Sequence, residues 1–295
     1  RGTDSFLDPR VHAIRHQPGQ QRVAEALRAM LRGSQIIPSH IENDPRVQDP
    51  YSLRCAPQVL GAVLDAYTYI RGCIQRELGA VTDNPLVFPD SPHPPPDHGQ
   101  IVSAGNFHGM PLAIPLDVLS IALTHIAGIS ERRVFWMISA FDAESHLKPY
   151  LAPNPGLNSG MMIAQYTAAA CCNEMISLCT PASVSNISTS AGIEDYNSFG
   201  PRAAAKASRA LDLLDHVIAI ELFCASEGLE YHRPLKSGDL VEAAFSVIRS
   251  RVSRLSQDRP LTGDIELLAR AIRRGEFNTP TDAAVMFATI RSATA

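Results

Sequence analysis

Four stretches of this chain are so densely apolar that little polar face remains. They cover residues 57–79, 111–139, 160–179 and 202–226, and their length and spacing predict long α-helices. In the last, Leu211, Leu214, Ile218 and Phe223 share one face, while Leu213, Val217, Ile220 and Leu222 widen it beyond the stripe of a surface helix. Helices of this kind are expected to be surrounded by other helices. Residues 238–255 and 265–274 read as ordinary amphipathic helices, and 277–295 is weakly patterned. Alternating β-branched runs hardly occur outside short pieces such as 99–103. The expected fold class is therefore all-α, one helical domain over residues 1–295 with no internal repeat.

Three polar breaks separate the long helices: 88–100, 150–160 and 180–201. The first is a proline-rich surface loop that cannot hold a helix. The third, rich in Ser, Thr, Asn and Gly, joins two helices that call for burial. A structureless connection of that length in a compact domain is usually functional or disordered.

Composition narrows the function classes. Lys and Arg number 26 against 30 Asp and Glu, a net charge of −4 that gives no support to a nucleic-acid partner. At 45% hydrophobic residues the chain can build a large core. The six cysteines (Cys55, Cys73, Cys171, Cys172, Cys179 and Cys224) show no paired C-x-x-C spacing and read as reduced core residues of a cytoplasmic protein. The window 111–129 approaches membrane-spanning length, yet it carries Asp117 and His125 and reads as a buried helix, with no membrane partner expected. The first residues, RGTDSFLDPR, lack an initiator Met and the apolar centre of a signal peptide, so the chain reads as beginning partway through a longer protein.

Three constellations could carry chemistry. In Gln48-Asp49-Pro50-Tyr51-Ser52-Leu53-Arg54, positions 51 and 54 project the same way on a turn entering a helix. That places a phenol beside a guanidinium able to grip a carboxylate with two parallel bonds; an aromatic residue braced by a structural Arg fits the same pattern. In Ser103-Ala104-Gly105-Asn106-Phe107-His108-Gly109, small residues that allow close backbone approach lead into the most apolar helix. In Glu194-Asp195-Tyr196-Asn197, adjacent acids lie within the long polar loop. They fit a solvated turn or, between buried helices, a partly desolvated carboxylate suited to proton transfer. His12 and His16 stand four apart, but Pro9, Pro18 and Gly19 leave little helix there and no third ligand is in view, so no metal site is expected. No P-loop or G-x-G-x-x-G supports nucleotide binding. Asp212, Asp215 and His216 interrupt a buried helix and are expected to make interhelical or subunit contacts.

Taken in order with Thr82-Asp83-Asn84-Pro85-Leu86-Val87-Phe88, Ile129-Ser130-Glu131-Arg132-Arg133, Leu157-Asn158-Ser159-Gly160 and Ala168-Ala169-Ala170, these strings resemble the C-terminal portion of the aromatic amino acid ammonia-lyases, most closely the histidine-specific members. The likeness runs from about Phe6 to Phe277, and VQDPYSLRC is its most specific string. It implies a long central helix bundle of the fumarase and aspartase type and a homotetramer whose active sites are shared between subunits. It also implies a methylidene-imidazolone group formed from an internal Ala-Ser-Gly. That tripeptide does not occur here, so the group, and the N-terminal segment bearing it, are expected upstream of Arg1, with no cofactor-binding residue in this chain.

Carried over by the resemblance, Tyr51 is the catalytic tyrosine near the electrophile, Arg54 binds the substrate carboxylate and Gln48 supports it. Phe107 packs against the prosthetic group with Asn106 beside it, and Glu194 lies near the substrate imidazole, where phenylalanine and tyrosine enzymes commonly carry an amide. The expected reaction is elimination of ammonia from L-histidine to give trans-urocanate. The alternatives are a phenylalanine or tyrosine ammonia-lyase or aminomutase, and a non-catalytic helical assembly protein on the same scaffold. Met110, where these enzymes often have Glu, and Gly192-Ile193 and Tyr196, which replace a more polar pattern ending in His, depart from the histidine-specific form.

Overall fold

The computed structural model describes residues 5–42, 44, 46–88, 101–140 and 146–278. Helices α1 (Pro9–Ala13) and α2 (Pro18–Leu31) open the chain. A one-turn helix α3 (Tyr51–Arg54) leads into α4 (Ala56–Glu77). Two-residue strands β1 (Leu86–Val87) and β2 (Ile101–Val102) pair antiparallel, Leu86 opposite Val102. Then follow α5 (Met110–Ser139), α6 (Met162–Leu178), α7 (Gly200–Glu230), α8 (Asp239–Arg249) and α9 (Thr262–Arg273). The all-α expectation holds, with all four long apolar stretches folded as helices close to their expected limits.

The central seam is α5 against α7, with α4 and α6 on α5 and α9 on α7. Val134, Val217, Ile220 and Phe223 are wholly buried in it. Each such side chain contributes roughly 1.5–3 kcal/mol relative to exposure, which makes this pair the rigid frame of the chain. Helix α5 is long and apolar enough to cross a membrane by length and composition, but it packs against α3, α4, α6 and α7 and buries Asp117 in polar contacts. Helix α6 corrects the expectation of full enclosure. Only Ala164, Ala168 and Met175 are buried, and Ile163, Tyr166 and Ile176 are exposed in the single chain, because its neighbours α5 and α7 both lie on one side.

Helix α2 was not expected, since Pro18 and Gly19 look like helix breakers. Proline is favoured in the first helical turn, where its missing N–H bonds nothing. Gly19 is buried where α2 crosses α4, and a Cβ there would lie 2.1 Å from the Gly61 carbonyl oxygen. His12 belongs to the same joint. It is buried, with Nδ1 3.0 Å from Gln20 Nε2 and Nε2 3.0 Å from the Phe6 carbonyl, so both ring nitrogens are engaged. Among the described residues no cluster of His, Cys, Asp or Glu is arranged to hold a metal. His93, His98 and most of the proline-rich loop lie outside the described residues, as does nearly all of 277–295. Helix α8 stops at Arg249, short of the expected 255, because the buried Glu227 carboxylate accepts from both Arg249 (2.9 Å) and the Leu255 amide (3.2 Å) and turns the chain. The six cysteines are free, Cys73 and Cys224 buried and the others half-buried; burial pushes the Cys172 thiol up to about 11.

The polar positions of α7 dock α9, as expected for Asp212, Asp215 and His216. Arg273 bonds Asp215 (2.5 Å) and Asp212 (3.1 Å), and His216 Nε2 lies 2.8 Å from Glu266. Burial disfavours the charged imidazole, but the hydrogen bonds to Glu266 and the Asp212 carbonyl outweigh it and raise the pKa of His216 above its ordinary 6.5. A raised folded-state pKa stabilises the fold fully below the unfolded value and less as pH climbs through the folded one. The stability difference between the native chain and His216→Gln is therefore expected to be larger at pH 6 than at pH 8.5, by less than about 1 kcal/mol for so exposed a pair. Denaturant titrations at the two pH values measure it, and an equal difference at both would contradict the assignment.

Candidate active site

Tyr51, Arg54 and Gln48 come together as expected. The single turn α3 follows Pro50, and its Leu53 and Arg54 amides both donate to the Pro50 carbonyl at 3.0 Å. The Arg54 guanidinium lies over the Tyr51 ring, 5.1 Å from its centroid, and donates through Nη1 to the Gln48 side-chain oxygen Oε1. Tyr51 is 69% exposed. Gln48 takes one of the five guanidinium donors, leaving the rest of a pre-oriented fork for a planar anion.

This turn is anchored from behind. Arg133 on α5 forks onto Glu221 of α7, with Nη2 3.0 Å from Oε2, and also reaches Ser130 Oγ (3.1 Å) and the Ser52 carbonyl (3.4 Å). Neither Arg133 nor Glu221 was singled out as a site residue. Their signal in the sequence is a pair of charges interrupting otherwise apolar helices.

A second group forms at the other end of α5. The Asn84 side-chain oxygen Oδ1 accepts from Ser103 Oγ (3.1 Å) and the Ala104 amide (2.8 Å), bracing the approach to α5 beside the β1–β2 pair. Asn106 donates to the Val81 carbonyl at 3.4 Å, and Phe107 is 59% exposed. His108 stacks on Tyr196, ring centroids 6.3 Å apart, with Nε2 3.1 Å from the Tyr196 carbonyl. That contact brings the Phe107 segment to the loop that carries Glu194.

The loop is built, not structureless. Asn186 Oδ1 accepts from the Asn197 amide (2.8 Å) and Asn186 Nδ2 donates to the Asp195 carbonyl (2.7 Å); Asn197 Nδ2 donates to the carbonyls of Ile187 (2.7 Å) and Glu194 (3.2 Å). Thr189 and Glu194 exchange backbone bonds around a turn in which Ser190, Ala191 and Gly192 all have positive φ. Only Gly192 adopts such a backbone without strain. The Glu194 carboxylate accepts from Thr189 Oγ1 at 2.6 Å and is otherwise exposed. Of the two readings of these acids, the solvated turn is the one found within one chain, because the loop crosses the entry to α5 at the surface, where Gly109 faces Ser198.

The two groups do not meet within one chain. Arg133, beneath α3, and Asp117, beneath the loop stem, are sixteen residues apart on α5, about 24 Å along a helix axis.

A family model described as aromatic amino acid lyase matches residues 1–250. The chain is similar to the histidine ammonia-lyase of Anaeromyxobacter dehalogenans, 48% identical over 277 residues, which cover 93% of this chain and 52% of that protein. It superposes on the crystal structure of histidine ammonia-lyase from Trypanosoma cruzi with TM-score 0.83 and 38% identity, over 96% of this chain and 51% of that one. For the tyrosine aminomutase of Streptomyces globisporus the TM-score is 0.84 and the identity 31%, over 94% and 55%. The chain thus spans about half the length of the relatives it matches.

Replacing Arg133 by Met removes the anchor of α3 while keeping its apolar stem. Amide hydrogen exchange at Leu53, Arg54 and Cys55 is expected to speed up about tenfold or more, the worth of one charged hydrogen bond. Unchanged protection there would show that α3 is held by something else.

Proposed function

The chain belongs to the aromatic amino acid lyases, and we propose that the protein it forms part of eliminates ammonia from L-histidine to give trans-urocanate. One arrangement carries the reading: a guanidinium fork pre-oriented by Gln48 and Tyr51, and, on a separate ordered loop, an exposed carboxylate. They complement the two ends of a zwitterion whose side chain bears an N–H. The strong sequence likeness to histidine ammonia-lyases supports the choice of ring.

Arg54 binds the substrate carboxylate in the two-bond geometry that a guanidinium favours, which fixes the α-carbon. Glu194 accepts the imidazole N–H through a charge-assisted bond and orients the ring. Tyr51, in contact with Arg54, is assigned the proton transfer near the α- and β-carbons; general acid–base help of this kind is worth about 10²–10⁴ in rate. The exposed aromatic faces of Tyr51 and Phe107 fit a flat prosthetic group, and we assign them to hold methylidene-imidazolone. When bound, that group supplies the electrophile for the amino group. No Ala-Ser-Gly occurs among the 295 residues, so the group would be contributed from outside them.

The exposed apolar residues Ile163, Tyr166 and Ile176 of α6, Ile114 and Ile121 of α5 and Leu211 of α7 support a homotetramer in which these faces are covered. Such an assembly brings the Arg54 group of one subunit to the Glu194 group of another. A phenylalanine or tyrosine lyase or aminomutase is the second reading, favoured by the exposed Ile193 and Tyr196 beside Glu194, which suit a benzene ring.

Ultraviolet assays of the full-length protein with histidine, phenylalanine and tyrosine separate these readings. Arg54→Ala is expected to lower kcat/KM about 30-fold or more, since losing one partner of a charged pair costs about 2 kcal/mol or more. Glu194→Gln is expected to harm histidine turnover far more than phenylalanine turnover. Unchanged kinetics for the first would remove Arg54 from the site, and equal losses for the second would contradict the histidine assignment.

A further inference from the structure

Beneath the Glu194 loop lies an ion pair that the reaction does not use. Asp117 interrupts the apolar α5 and Lys206 the alanine-rich start of α7; they are 4% and 7% exposed, with Lys206 Nζ 3.5 Å from Asp117 Oδ1. Both also bind the stem of the loop. Asp117 Oδ2 accepts from the Ser183 amide at 2.7 Å, and Lys206 Nζ donates to the Thr180 carbonyl. We infer that Asp117 and Lys206 are positioning residues for Glu194: they fix the point from which the loop departs and thereby place its carboxylate against the substrate ring.

Three observations carry the inference. First, burying two charges between apolar helices is expensive, and a hydrophobic pair of similar volume is often as stable or more so, so the pair is poorly explained by stability alone. Second, Oδ1 of Asp117 has no hydrogen-bond partner, whereas Oδ2 and Nζ are committed to loop backbone; the pair is better made toward the loop than toward itself. Third, the far stem is independently held against the segment that enters α5, through His108 on Tyr196 and the close approach of Gly109 to Ser198. With one stem fixed to α5 and α7 and the other to the entry of α5, the loop's internal Asn186 and Asn197 bonds leave Glu194 little freedom. Burial pushes the Asp117 carboxyl up, but the Ser183 and Ala182 amides and Lys206 outweigh it and hold it below the usual carboxylate range, so the charge that binds the stem persists at neutral pH.

The inference rests on the proposed role of Glu194, and a double-mutant cycle on the full-length protein distinguishes the two. Asp117→Asn is expected to lower kcat/KM for histidine about 10- to 100-fold, the scale of a misplacement near 1 Å, with faster hydrogen exchange in residues 184–197. In a Glu194→Gln background the same change should have almost no further effect, because the group it positions is already gone. Equal losses in both backgrounds would overturn the inference in favour of a general structural role, as would full activity of Asp117→Asn. Should Glu194→Gln alone leave histidine turnover intact, the substrate reading fails instead, and the exchange measurement still reports whether the pair holds the loop. If Asp117→Asn does not fold, the cycle is run with Lys206→Met, and Lys206→Arg, which restores the charge, is expected to recover at least half of the lost activity; no recovery would count against the assignment.

Discussion

Two charged pairs sit where the apolar helices α5 and α7 meet, and each holds a candidate site segment by its backbone. Arg133 with Glu221 reaches the Ser52 carbonyl of the α3 turn; Asp117 with Lys206 reaches the Ser183 amide and the Thr180 carbonyl of the loop stem. The seam between them is wholly buried around Val134, Val217, Ile220 and Phe223. Its apolar contacts supply rigidity, and the few charges convert that rigidity into placement. Remove the seam and neither Arg54 nor Glu194 has a fixed address.

The same geometry keeps the two groups apart within one chain, which is why the proposed site is a shared one. The two anchors stand about 24 Å apart along α5, a span no single histidine-sized molecule bridges. Each group is presented outward, with Tyr51 and Phe107 exposed, on a chain whose α6 shows Ile163, Tyr166 and Ile176 to solvent. On the proposed reading, these outward-facing groups and the uncovered apolar helix faces belong together: association between copies would bury the faces and assemble the site.

Much of the fold was legible because long apolar runs leave a helix few alternatives; α4, α5, α6 and α7 all lie near the limits read from the sequence. Helix α2 was missed because the meaning of Gly19 depends on a partner 42 residues away, Gly61, and a one-dimensional pattern cannot distinguish a breaker from a crossing point. The Gln48, Tyr51 and Arg54 cluster was legible because its members are close in sequence and share one turn. The order within the Glu194 loop was not, since it rests on Asn186 reaching Asn197 and on Asp117 reaching Ser183 across 66 residues. Charges inside apolar helices were visible as interruptions; only the fold shows what they hold.

The most direct test of the account is a structure of the assembled full-length protein with urocanate bound. The product carboxylate should lie within hydrogen-bond distance of Arg54 from one subunit, and its imidazole should face Glu194 from another. Finding Arg54 and Glu194 on unconnected outer surfaces, with the product held by other residues, would contradict it.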